Sequence, residues 1–345
     1  MSTNGATKLI EVTDLQMHFP LRQGIILQKQ VGAVRAVDGI SFDVFEGETL
    51  GLVGESGCGK STTARLITRL LEPTDGSILY HGEEIAHSSR AELKPLRRDM
   101  QMIFQDPYSS LNPRKTVGSI IGEPFIIHKL ERDDEKRKKL VQELMDRVGL
   151  NPEHYNRFPH EFSGGQRQRI GVARAMAADQ PLMLMDEPFG AVDPIARDRL
   201  QDDFLRLHHE VPKTVVFVTH DIDEAIKMGH HIAILRDGEL VQYDTPDNIL
   251  AEPANEFVAD FVGADRGLKR LNVWRLSDLE LDPAPDEPGE PTATGHTSLR
   301  DALSLMLVEG KERLVVVDEE GRPTGTVALD AITRLIGPDE KAATR

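Results

Sequence analysis

Apolar positions recur along the chain with two periods, two residues in some stretches and roughly 3.6 in others, the spacings of strands and helices. Residues 9–53 alternate apolar and polar in short runs, LIEVTDLQMHF and ISFDVFEGETLGLVG, predicting strands joined by a loop around residues 22–34. From Lys60 the spacing turns helical until Pro73, and strand-like segments return at 77–85 and 100–105. Over residues 131–149, Leu140, Val141, Leu144, Met145 and Val148 fall on one helical stripe, and Gly149 is placed to end it. Two unbroken apolar runs, LMLMDE and TVVFVTH, are bounded by turns and short enough to be buried parallel strands. Asp193 is placed as N-cap of the helix between them, with Pro194 at its first position. This alternation predicts an α/β core with helices on both sheet faces and a ligand at the carboxyl ends of the strands.

The pattern changes after Glu280. LDPAPDEPGEP is Pro-rich and acidic, predicting a stiff, exposed linker. Beyond it a small α+β unit is expected: a helix over 298–308, a strand over 314–317, a turn at 320–324, a strand over 326–328 and a helix from Asp330.

With 345 residues, 39% hydrophobic and 28% charged, the chain reads as an ordinary globular protein with room for a second, smaller unit. Lys plus Arg total 41 against 57 for Asp plus Glu, a net charge of −16, which argues against gripping nucleic acid through its phosphates. The basic run Lys136-Arg137-Lys138-Lys139 is flanked by acids and reads as a solvated helix face. No apolar run approaches the ~20 residues that span a bilayer, and MSTNGATK lacks the apolar stretch of a signal peptide, so a peripheral membrane role is expected. Cys58, the only cysteine, has no internal disulfide partner, which fits a reducing cytoplasm.

Candidate chemistry begins at residues 54–62, GESGCGKST. Gly54-x4-Gly59-Lys60-Ser61 has the phosphate-loop spacing, after a predicted strand and before a predicted helix. Glycines let backbone N–H groups wrap a phosphate chain, Lys60 can neutralise its end, and the Ser61 hydroxyl can ligate Mg²⁺. LMLM delivers Asp186 and Glu187 to a strand end, the first suited to hold Mg²⁺ and the second to polarise the attacking water. His220 ends the neighbouring apolar run and Gln105 ends another, so both fall on the same sheet edge. A second glycine-bearing helix start, Ser163-Gly164-Gly165-Gln166, lies about one hundred residues past the first. One core rarely needs two anion sites, so the second is expected to serve a nucleotide on another copy, in a head-to-tail dimer.

With these residues in view, residues 9–265 resemble the ATP-binding subunits of ABC transporters. GESGCGKST looks like Walker A, FSGGQ like the signature with Phe162 in place of the commoner leucine, LMLMDE like Walker B, GAVD at 190–193 like the D-loop and VTH like the switch-histidine strand. The resemblance implies a P-loop NTPase core with a mixed sheet and a helical signature subdomain over about 106–178, followed by a connector over 266–296. It implies that ATP is held by Gly54, Glu55, Ser56, Gly57, Cys58, Gly59, Lys60, Ser61 and Thr62, that Phe19 stacks on adenine, and that Gln105 senses Mg²⁺. Ser61, Gln105 and Asp186 would hold Mg²⁺, and Glu187 and His220 would support hydrolysis. Ser163, Gly164, Gly165, Gln166 and Asp193 would close over the ATP of a partner subunit.

Substrate signals are divided. GETLGLVGESGCGKSTTARLITRLLEPTDG and MIFQDPYSSLNPR resemble oligopeptide and dipeptide importer subunits, whereas MDEPFGAVDPIARDRLQDDF, FVTHDIDEAIKMG and FVADFVGADRGLKRL are similar to glycine betaine, choline and carnitine importers. Residues 297–336 resemble one CBS repeat. Residues 268–282 could be a worn second repeat, a pair could form across a dimer, or the tail could simply dimerise. The expectation is an ATP-hydrolysing importer motor for a quaternary-amine osmoprotectant, with peptide uptake as the alternative and DNA repair or translation as a third reading. The third is opposed by the single cassette, the lone cysteine and the acidic balance. Expected partners are a second ATPase subunit, identical or related, integral permease subunits and an extracytoplasmic binding protein, with no nucleic acid, at the cytoplasmic face of the membrane.

Overall fold

The computed structural model describes residues 7–23, 29–104, 111–190, 192–211, 213–285 and 291–336. Strands β1 (Lys8–Gln23) and β2 (Lys29–Phe45) form a long antiparallel ribbon that pairs as far as Gln23 with Lys29. Most of the loop expected over 22–34 is therefore paired strand. Its glycine and polar residues hide the pattern, and cross-strand partners supply what local sequence does not.

β3 (Thr49–Gly54) is buried throughout and runs into α1 (Lys60–Ile67). The segment expected as one strand over 77–85 is a hairpin of β4 (Asp75–Tyr80) and β5 (Glu83–Glu84), turned by His81 and Gly82 at positive φ. Then come α2 (Arg90–Asp99), β6 (Met100–Ile103), α3 (Val117–Ile127), α4 (Asp134–Arg147), α5 (Gly164–Met176), β7 (Leu182–Asp186), α6 (Pro194–Glu210) and β8 (Thr214–Val218). On α4, Val141 and Met145 are buried as the stripe predicts, while Leu140 at its margin is exposed. Gly149, just past the helix, has φ of 70°, the left-handed conformation that closes a helix.

β6, β7, β8 and β3 are mutually parallel, and β9 (His231–Arg236) and β10 (Glu239–Asp244) complete a six-stranded sheet in the order β10-β9-β3-β8-β7-β6. The two-residue Asp237-Gly238 link between β9 and β10 has positive φ at both positions, the geometry of a tight antiparallel hairpin. β2, β1, β4 and β5 form a second sheet. Ala64, Leu66 and Ile67 of α1 share one core with Leu9, Val12 and Ile78 of that sheet and Leu52, Leu184 and Val216 of the central one. A separate cluster, including Val117, Ile121, Val141, Met145, Phe162 and Ile170, makes the helical part around α3, α4 and α5.

The chain divides into two compact bodies, Met1–Asp221 with Ala233–Tyr243, and Ile222–Ile232 with Asp244–Arg345. The second contains α7 (Ile222–Met228), α8 (Pro246–Ala251), α9 (Glu256–Val262) and α10 (Arg266–Val273). It also contains the expected small unit: β11 (Thr292–Thr294), α11 (Leu299–Glu309), β12 (Arg313–Val317), β13 (Pro323–Ala328) and α12 (Leu329–Arg334). β11 was not legible in the sequence; it runs parallel to β12 at the edge of a three-stranded sheet.

The Pro-rich stretch differs from a free linker at both ends. Asp282 exchanges backbone bonds of 2.9 and 3.0 Å with Thr326, Pro291 is buried, and its carbonyl accepts the Val315 N–H at 3.0 Å. Residues 268–282 form most of α10 and a short 3-10 turn at Leu276–Asp278, without the two strands of a second repeat.

Candidate functional site

Three glycines shape the loop between β3 and α1. Gly54, Gly57 and Gly59 have φ of 148°, 85° and 104°. A Cβ on Gly54 would lie 2.2 Å from the Leu235 carbonyl oxygen, and one on Gly59 would lie 2.2 Å from that of Ala36. The loop is thus clasped between β9 and β2, and Gly238 extends the clasp by donating its N–H to the Cys58 carbonyl at 3.2 Å. Ala36, Leu235 and Gly238 are supporting positions missed from sequence; only the Asp237-Gly238 turn left a local signal. Gly59 is the N-cap of α1, so the first free N–H groups of that helix face the loop. Lys60 is buried, and its Nζ donates to the carbonyls of Gly54 and Glu55, both at 2.7 Å.

β7 and β8 bring the carboxylates and the histidine to the same sheet edge. Ser61 Oγ donates to Asp186 Oδ1 at 2.6 Å, and Asp186 is 2% exposed. Arg65, not singled out from sequence, reaches the other Asp186 oxygen at 3.6 Å. Glu187 extends the ladder by donating its N–H to Val218 O at 2.9 Å, then turns out of the strand with φ of 45°. Left-handed backbone at a non-glycine residue costs about 1–3 kcal/mol and concentrates at functional sites. Glu187 Oε1 stands 3.5 Å from His220 Nδ1. Thr219, also missed, fixes the histidine's backbone: its N–H donates to Leu52 O at 3.1 Å and its hydroxyl accepts from Asp221 N at 3.0 Å.

The donor set suits a hard divalent cation, since Ser61 and Asp186 present adjacent oxygens beside the phosphate loop. Gln105, the third expected Mg²⁺ contact, lies outside the described residues, as does Ala191 of the GAVD segment. Phe19 is exposed on β1 and pairs across the ribbon with Val34, two residues before the Ala36 carbonyl that borders Gly59.

Ser163 and Gln166 form a reciprocal capping box at the start of α5, with Gln166 N donating to Ser163 Oγ at 3.3 Å and Ser163 N to Gln166 Oε1 at 3.1 Å. Gly164 and Gly165 open that helix, which packs into the helical cluster rather than the core around α1. Asp193 is exposed before α6, its carbonyl accepting the Arg197 N–H at 2.8 Å. Phe162, the departure from the commoner leucine, is 4% exposed within the helical cluster, its ring edge-on to His154 at 5.8 Å. Phe162→Ala is expected to destabilise the protein by about 3–5 kcal/mol, whereas Phe162→Leu should cost less than about 1.5 kcal/mol, both read from denaturant melts.

A family model described as ABC transporter matches residues 37–190, and one described as CBS domain matches residues 287–337. The glycine betaine/carnitine/choline transport ATP-binding protein OpuCA of Bacillus subtilis is 43% identical over 302 residues, covering 87% of this chain and 76% of the relative. The chain belongs to the ABC transporter family of ATP-binding proteins. The oligopeptide transport ATP-binding protein OppF of the same organism is 45% identical over 258 residues, covering 74% of the chain and 82% of the relative. Among solved structures, the dimeric bacterial ABC transporter cassette MJ0796 has a TM-score of 0.60 at 30% identity, over 68% of this chain and 98% of that one. MJ0796 is also known as a dimer in a post-hydrolysis state bound to ADP and Pi, at 29% identity and a TM-score of 0.60, with the same coverage of 68% and 98%. The mixed kinship expected from the two halves is borne out, as is the ABC ATPase fold with a CBS-like tail. As an ABC ATPase the chain binds ATP and couples its hydrolysis to transport.

Within this ABC subunit, Cys58 is 5% exposed. Burial pushes its thiol up, outweighing the neighbouring Lys60 ammonium. A raised thiol holds less thiolate at any given pH, and the thiolate is the nucleophile. Iodoacetamide should therefore label Cys58 slowly at neutral pH and faster as pH climbs above the ordinary thiol range, with ATP protecting. Rapid labelling at neutral pH that ATP leaves unchanged would place the thiol away from the phosphates.

Proposed function

We propose that this chain is the motor subunit of an importer that takes up a quaternary-amine osmoprotectant of the glycine betaine, choline and carnitine class. The supporting observation is that relatives named for glycine betaine, choline and carnitine transport are each 41–43% identical over 87% of the chain, against 74% and 84% of the chain for two oligopeptide relatives. The CBS-like tail points the same way. Peptide uptake is the second reading, carried by the 45% identity to OppF.

In this reading, Gly54 to Thr62 cradle the phosphates and Lys60 neutralises their end, with Phe19 placed for the adenine. Ser61, Asp186 and Gln105 would hold Mg²⁺, which would supply positive charge at the phosphates. Glu187 takes a proton from the attacking water, and His220 orients beside it toward the terminal phosphate. Ser163 to Gln166 and Asp193 complete the site of a second ATPase subunit. ATP then favours the closed pair because only that state offers both sets of contacts, and hydrolysis removes the preference.

No helix among the described residues is long and apolar enough to cross a membrane. Membrane attachment in this reading goes through permease subunits at the cytoplasmic face, with an extracytoplasmic binding protein delivering solute. A groove of about 430 Å³ before Gln105 offers Leu70, Phe104 and Ile127, all exposed apolar side chains, beside Arg97 and Arg174. An apolar patch with a charged rim suits a docking helix of the permease.

The test is uptake of labelled glycine betaine and of a labelled dipeptide in a strain lacking this chain, with wild-type or Glu187→Gln copies restored. Loss of betaine uptake alone, recovered only by the wild-type copy, is the expected result. Loss of dipeptide uptake alone would shift the assignment to the peptide reading.

A further inference from the structure

Helix α7 begins at Ile222, directly after His220 and Asp221, and it belongs to the compact body made by the C-terminal residues. Within that body its first turn is held by α10. Lys269 Nζ lies 3.0 Å from Asp223 Oδ1 and 3.5 Å from Asp265 Oδ1, and donates to the Val262 carbonyl at 2.9 Å. Only 13% of the Lys269 side chain is exposed.

The same helix is anchored on its other side. Arg270 donates to both oxygens of Asp247 on α8, at 2.8 and 3.2 Å, and Trp274 Nε1 donates to one of them at 2.9 Å. α10 is also part of the CBS-like fold: Leu271 is fully buried in its core with Leu299 and Val316, and the Trp274 carbonyl accepts the Leu299 N–H at 3.0 Å. A continuous series of bonds therefore runs from the CBS-like core through α10 to Asp223, three residues past His220. A helix as short as α7 has little stability of its own, so its packing decides where its first turn lies.

We propose that Lys269 is a positioning residue for His220 and, through it, for the rate of ATP hydrolysis. The route is Lys269 to Asp223, then along the backbone to His220. Because the phosphate loop is built on β3, α1, β2 and β9, this route alters turnover and leaves ATP affinity alone. The inference rests on the reading of His220 as a group that acts at the terminal phosphate.

The test uses the full chain and compares steady-state kcat and KM for ATP in Lys269→Ala, Lys269→Arg, Asp223→Asn, the double variant Asp223→Asn with Lys269→Ala, and His220→Ala. Lys269→Ala should lower kcat about fivefold with KM changed less than about twofold, at a temperature where its melt shows it fully folded. Lys269→Arg should recover most of the loss, and the double variant should be no slower than Lys269→Ala alone, as direct coupling between the two positions requires. Wild-type kcat in Lys269→Ala, or losses that simply multiply in the double variant, overturn the positioning role. If His220→Ala itself hydrolyses ATP at the wild-type rate, it is the reading of His220 that fails, and the route fails with it.

Discussion

Replacing Glu187 with Gln is expected to cut ATP hydrolysis by about 10²–10⁴-fold, the usual contribution of a positioned general base, while ATP binding survives. The amide keeps the size and polarity of the carboxylate at the end of β7, so the capped strand, the left-handed turn and the neighbouring His220 need not move. It cannot accept a proton from water. ATP then stays bound, and the closed pair that it favours persists, so gel filtration with Mg-ATP should show a dimer where the wild type shows mostly monomer. A variant that hydrolyses ATP within tenfold of wild type would remove Glu187 from the proton transfer. A variant that binds ATP and stays monomeric would count against the shared site.

Gly59→Ala is expected to be severely damaging to the phosphate loop. Its Cβ would stand 2.2 Å from a backbone carbonyl oxygen on β2, at a φ of 104° that side chains avoid, and neither problem is relieved by turning a side chain. A cost above about 3 kcal/mol is expected from overpacking and backbone strain together. That lowers the melting midpoint by roughly 6–12 °C in a domain of this size, and ATP binding should be lost. Gly57→Ala is the matched comparison, with φ of 85° but nothing within 4 Å of the added carbon. It carries only the left-handed penalty of about 1–2 kcal/mol. Equal melts for the two variants would mean that the clasp by Ala36 is not what shapes the loop.

Features legible in the sequence are those whose signal is local. LMLMD and TVVFV are fully buried strands because an unbroken apolar run has nowhere else to go, and the phosphate loop announces its glycines and lysine in nine residues. Features that were missed depend on partners far along the chain. Residues 29–34 become strand because β1 pairs with them, and Thr292–Thr294 becomes strand only beside β12, being too short for alternation to register. The Ala36 and Leu235 carbonyls matter for where their strands pass, which no side chain records. Phe162 reads as a deviation in a signature and proves to be a core residue, since the helical cluster has room for a ring edge-on to His154.

The way the Pro-rich segment is stitched to the small sheet bears on how the tail can be dissected. Leu281 lies against Gly325 so closely that a Cβ there would meet it at 2.6 Å, and Asp282 and Pro291 bond to residues of β13 and β12. A fragment cut at residue 297 would lose β11 and lay bare the edge of β12, with Val315 and Val316 beside unpaired backbone groups. Such an edge invites strand addition from another molecule. The unit that can be moved between proteins, or expressed alone without aggregating, therefore begins before α10, where Leu271 enters its core, and is considerably longer than its repeat-like sequence.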